Sequence, residues 1–140
     1  MALNPNTMRD EILGIVASFP PTQAAAKIAW ADACAAYFAE QAVPPWGVPA
    51  LDAGKAAFIA ALDPLDKPGL EDAFLAFAVA MCLFPPVDWV AIPPPIPLVL
   101  PDLPPTFDAV TPATAVAAAV DIWARLGTAT FLANPPVPWS

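Results

Sequence analysis

Residues 89–105 read WVAIPPPIPLVLPDLPP, a run of apolar side chains crowded with proline. Nearly every side chain is apolar, as in a buried helix or strand. Proline forbids both, because it has no amide hydrogen to donate and its ring fixes φ, so each one interrupts a helix or a ladder. The surrounding segment, 85–110, is therefore expected to be an irregular, polyproline-like strap with short extended pieces around Ile96 to Leu100. Proline has already lost much of its backbone freedom, so such a strap docks at low entropic cost. Burying one of its aliphatic side chains is worth roughly 1.5–3 kcal/mol. Left in water it would be sticky, so it is expected to lie against its own helices or against another subunit.

Working outward, proline pairs punctuate the chain into helical pieces. Thr7 to Ser18, capped by Asn6 or Thr7, places Met8, Ile12, Ile15, Val16 and Phe19 near one face and stops at Pro20-Pro21. Thr22 to Ala42, with Thr22 as its cap candidate, carries a bulky stripe of Trp30, Cys34, Tyr37 and Phe38, with Lys27, Asp32, Glu40 and Gln41 in water, and stops at Pro44-Pro45. After the VPPWGVP turn (43–49), Ala50 to Leu62 forms a third helix. A fourth opens near Pro68 and runs to Phe84; from Ala73 onward it has no charge, so it is expected to be buried on all sides. TPATAVAAAVDIWARLG (111–127) is the fifth, with Thr111 as cap, Pro112 first, an Asp121–Arg125 pair one turn apart, and Gly127 as the stop. The fold class is thus mainly α. We expect a compact bundle of about five helices in one domain spanning 1–140, with Pro-rich extended straps at 85–110 and in an apolar tail, 128–140.

Composition says where such a molecule spends its surface. Apolar residues are 59% of 140 and charged residues only 13%, against ordinary values of ~45–50% and ~25%. So little charge implies that part of the outside is pressed against other chains. The net charge is −8, and Arg9, Lys27, Lys55, Lys67 and Arg125 are isolated, which argues against direct nucleic-acid binding and against an anionic membrane surface. The start, MALNPNTMRDEILG, lacks the basic-then-apolar pattern of a secretory signal, and no apolar run is both long enough and proline-free enough to span a bilayer. Synthesis in a bacterial cytoplasm is the expectation.

The chain has no histidine, which removes the commonest general acid–base group and a major metal ligand. It has no Cys-x-x-Cys and no glycine-rich phosphate loop. Cys34 and Cys82 read as reduced core thiols. Asp10-Glu11 and Glu71-Asp72 open helices, where the dipole favours negative charge, while Asp63, Asp66 and Asp102 sit in proline-rich turns. Asp88, beside Trp89 in an apolar setting, is the odd carboxylate; it accepts backbone hydrogen bonds in its loop or contacts a partner. Catalytic, cofactor and metal sites are expected to be absent, and the chain is read as a non-enzyme. Pro94–Pro97 and Pro101–Pro104 match the P-x-x-P spacing of adaptor ligands, but residues 85–110 hold no basic residue to accompany it. The candidate protein-interface residues are Trp46, Trp89, Ile92, Ile96, Leu98, Leu100, Phe131 and Trp139.

AAKIAWADACAAYFAEQAVPP (25–45), PPPIP (93–97) and DIWARLGTATFLANPPVPWS (121–140) together resemble small Ala/Pro-rich proteins encoded by tailed bacteriophages among their virion genes. The shared features are an Ala-rich helix with Trp-Ala-Asp-Ala, a Val-Pro-Pro stop, a Pro-rich crossing, and a late Trp helix leading to Gly-Thr-Ala-Thr and Pro-Pro-Val-Pro-Trp-Ser. The resemblance implies a structural subunit of the virion, in the capsid as cement or in the neck, tail or baseplate. Its partners would be other virion proteins and itself, and it carries over no catalytic residues. The alternative, from the residues alone, is a small helical adaptor or chaperone-like module outside the virion, with its strap packed on its own helices.

Overall fold

The computed structural model describes residues 2–102 and 109–140. These form five helices, α1 (Pro5–Ser18), α2 (Gln23–Ala39), α3 (Val48–Ala61), α4 (Lys67–Met81) and α5 (Val110–Ala124), and three short strands, β1 (Trp89–Ile92), β2 (Thr128–Phe131) and β3 (Val137–Pro138). The mainly α expectation holds. Helix boundaries follow capping chemistry more than proline pairs. Asn4, not Asn6 or Thr7, caps α1, its side chain accepting the Asn6 amide at 3.0 Å. Asp10 and Glu11 consequently lie beyond the first turn. Thr22 caps α2 as expected, accepting from the Ala25 amide at 3.1 Å. Asp66 caps α4 by accepting from Gly69 at 2.8 Å. In α5, Thr111 is inside the helix and Ala109 holds the cap position.

The helices pack α5 on α1, α1 on α2, α2 on α3 and α3 on α4. Between α2, α3 and α4 lies an aromatic core. Phe38 stacks on Phe77 with ring centres 5.4 Å apart, and Phe58 meets Phe74 edge-on, also at 5.4 Å. Gly54 of α3 is where the Phe77 ring lies, and a Cβ there would overlap the ring. This is why α3 and α4 approach so closely.

α4 departs from the expectation in two ways. It ends at Met81, three residues before Phe84, and it is not enclosed. Phe74, Phe77 and Met81 are buried, but Val79, Leu83 and Phe84 are exposed. Apolar composition all round does not by itself supply neighbours on every side. Gln41, read as a wet position of α2, is buried: α2 stops at Ala39, and the Gln41 amide turns inward to donate to the Val43 carbonyl at 2.9 Å.

The strap and tail are joined by an antiparallel sheet in the order β1-β2-β3. Trp89 pairs with Phe131 and Ile92 with Thr128; Ala129 pairs with Val137. The extended piece of the strap is thus 89–92, ahead of the expected 96–100, because Pro93 is where ladder donors run out. The tail then runs back under the bundle. Trp139 is fully buried against Phe38 and Trp46, and its indole donates to the Thr128 carbonyl at 3.0 Å. Gly127 permits this: a side chain there would occupy the Trp139 ring. Its role is close approach, not the helix stop that the sequence suggested.

Candidate interaction surface

Three places concentrate polar or accessible groups, and each is built by a different part of the chain. The first ties α2, α5 and the N-terminal segment. The Tyr37 hydroxyl donates to Asp121 Oδ1 at 2.7 Å, Arg125 Nε donates to Asp121 Oδ2 at 2.9 Å, and Arg125 Nη2 donates to the Leu3 carbonyl at 2.8 Å. Spacing along α5 reveals the Asp121–Arg125 pair; nothing in the sequence reveals the two long-range partners. These groups are bonded to one another, so the cluster braces the fold.

Burial also governs the titrating groups. Cys34 is raised well above its ordinary 9.0, Cys82 is pushed up to about 12, and Tyr37 is held above its ordinary 10.0 by burial and by its bond to Asp121. The thiols are free and, so protonated, are poor nucleophiles. The native state keeps protons that the unfolded chain releases at high pH, so stability falls as pH rises. The contribution of these groups is fully present below about pH 9 and is lost as pH climbs toward their native values, at up to about 1.4 kcal/mol per pH unit for each group. Urea midpoints measured from pH 7 to 11 are expected to decline above about pH 9. A flat profile through pH 11 would contradict this assignment of burial.

The second place is a groove of about 550 Å³ walled by Ile12, Trp30, Leu70, Leu100 and Val116. Its charged lining residues are already engaged. Asp66 caps α4, and Lys67 Nζ donates to Asp102 at 2.6 Å. Glu71, read as a helix-opening charge, accepts the Leu100 amide at 2.6 Å and so pins the strap to α4. Among the described residues no cluster of three metal-ligating side chains occurs, and no helix is long and apolar enough to cross a membrane.

The third place is the outer side of the strap. Trp123 of α5 donates its indole N–H to the Ile96 carbonyl at 2.8 Å, which fixes the strap along that helix. Alternate side chains then go opposite ways. Leu98 and Leu100 are buried, whereas Ile96 is 55% and Val99 75% exposed. Beside them on α5, Ile122 is 69% exposed, and Ile96, Val99, Ile122 and Leu126 border one shallow groove lined entirely by uncharged residues. The same character continues onto the sheet, where Val90 and Ile92 face outward and Ile92 pairs with Thr128, two residues beyond Leu126.

Of the eight candidate interface residues, Trp46, Leu98, Leu100 and Trp139 are buried in the chain's own core, and Trp89 is half-buried against Phe131. Ile92 and Ile96 are on the exposed face, with Phe131 exposed at its margin. Val90, Val99, Ile122 and Leu126 belong to that face but are not among the eight. Alternation along the strap was the available signal for Val99. For Ile122, the signal was its place opposite Val120 and Trp123 on α5. Asp88 sits at φ 68°, in the left-handed region that Asp tolerates better than most residues, and its carbonyl accepts the Leu132 amide at 3.0 Å. The oddness of a carboxylate there is explained by the backbone. Comparison of the chain with protein families, with curated proteins and with solved structures finds no match.

Proposed function

We propose that this chain is a non-enzymatic structural subunit of a tailed-phage virion, held in the assembly by the uncharged face that runs from β1 over the strap to α5. One observation carries the reading. Ile96, Val99, Ile122 and Leu126 surround an uncharged groove and remain in contact with water, although the chain buries Leu98 and Leu100 of the same strap. A contiguous apolar patch is costly in a solitary soluble protein and marks a place where another surface sits. The rest of the molecule suits a passive role: a braced polar network, protonated thiols, and charged groove residues already paired. The Trp-Ala-Asp-Ala and Pro-Pro-Val-Pro-Trp-Ser features point to the virion as the assembly. Its partners are other virion proteins and further copies of itself, and capsid cement or a neck, tail or baseplate position would use the face in the same way. Quantitative mass spectrometry of density-purified particles tests this. The chain is expected in the particle band at a fixed stoichiometry. Its absence would overturn the reading in favour of an adaptor or chaperone-like module outside the virion.

A further inference from the structure

β1 ends the sheet on one side, since the order is β1-β2-β3. Its ladder with β2 tells which backbone groups point outward. Leu132 donates to the Asp88 carbonyl, so in the antiparallel alternation the bonded positions are 88 with 132, 90 with 130 and 92 with 128. Trp89 and Ala91 therefore turn their backbone groups away from β2. The Trp89 amide is taken by the Pro86 carbonyl at 3.0 Å, and the next outward position, Pro93, has no amide. Ala91 is left as the one residue of β1 with both a donor and an acceptor facing the open edge.

We infer that β1 is a self-pairing edge: two copies of this chain join β1 to β1 antiparallel about a two-fold axis at Ala91, forming one six-stranded sheet. The inference rests on the proposed assembly role and names the first partner in it. This register lets each Ala91 use both of its outward groups, because the two Ala91 residues exchange their amides and their carbonyls. It sets Val90 of each copy opposite Ile92 of the other, two exposed aliphatic side chains on the same outer face. Val90 and Ile92 are 63% and 56% exposed, so pairing them across the axis removes aliphatic surface from water. Charge does not oppose the contact despite the net −8. Asp88 is the one charge between residues 83 and 101, and the register places it opposite Pro94 of the other copy, away from its counterpart.

Cysteine pairing reads the register directly. One preparation carries Val90→Cys and a second carries Ile92→Cys; they are mixed, oxidised, and mapped by peptide mass. Positions 90 and 92 of opposite copies form a non-hydrogen-bonded pair with Cα atoms about 4.5 Å apart, within disulfide reach. Position 90 lies about 7–8 Å from its own counterpart, beyond it. The expected result is a 90–92 disulfide in the mixture and little cross-linking in either preparation alone. Sedimentation should give a concentration-dependent dimer for the natural chain, and Ala91→Pro should weaken it at least tenfold. That substitution removes the outward amide and also fixes φ and adds a ring at a position packed on the core, so the melting curve serves as a control for intact folding. Cross-linking of 90 to 90, or a monomer at all concentrations with no 90–92 product, overturns the inference. A monomer whose β1 edge is covered only inside particles also overturns it, and assigns the edge to a different virion protein. Presence in particles is measured separately, so failure of the self-pairing does not pass for failure of the assembly role.

Discussion

Replacing Trp139 by alanine is expected to lower the unfolding free energy by about 3–5 kcal/mol, the cost of truncating a fully buried large aromatic. The side chain sits where the tail meets the bundle. Its ring is 6.0 Å from Phe38 and 5.5 Å from Trp46, both edge-on, and its indole closes the bond to Thr128. Its own amide donates to the Gly127 carbonyl at 2.9 Å, and next to it Ser140 exchanges backbone bonds with Val43. Losing the ring therefore opens a cavity and loosens the strand that holds β2 in place. Since a domain of this size has a total stability of about 5–15 kcal/mol, the variant should show a much lower urea midpoint and a cooperative loss of the tail. A midpoint within experimental error of the parent would mean that the tail is not part of the core.

Ile122→Lys is expected to do the opposite: leave the fold intact and remove the assembly. Ile122 is exposed in the last turn of α5, where a cation is favoured by the helix dipole. Surface substitutions of this kind change stability by no more than about 0.5 kcal/mol. In the assembled state the ammonium would have to leave water beside Ile96 and Val99 with no carboxylate in the groove to meet it. An interface anchor of this kind is worth about 2 kcal/mol, so incorporation into particles should fall roughly 30-fold in competition with the natural chain. Equal incorporation would show that the α5 side of the face is not used. The pair of variants separates core formation by the buried tail from the proposed association through the α5 side of the outer face.

That division explains what the sequence could and could not say. Helices were legible because proline pairs and alanine-rich runs act locally, and the caps at Thr22 and the position of Pro68 follow from short-range hydrogen bonding. The strap's irregularity was legible for the same reason. Its two-sidedness was not. Leu98 and Val99 are equally apolar, and long-range bonds, from Trp123 to the Ile96 carbonyl and from the Leu100 amide to Glu71, hold the strap with Leu98 turned inward. Trp139 and Trp46 looked like surface anchors because a Trp among prolines at a segment end has no local reason to be buried. The reason is the Gly127 gap, 12 residues away in the chain. The link from Tyr37 to Asp121 spans 84 residues and leaves no periodic trace. Asp88 looked out of place because its left-handed backbone, set by the turn into β1, cannot be read from its neighbours' hydropathy.

Hydroxyl-radical footprinting of the chain, free and inside purified particles, tests the central claim most directly. In the free chain Ile96, Val99, Ile122 and Leu126 should be oxidised readily, while Leu98, Leu100 and Trp139 should not. In the particle the first four should become protected, with exposed residues away from the face, such as Phe19, keeping their reactivity. Unchanged oxidation of those four in the particle would contradict an assembly held through the β1, strap and α5 face.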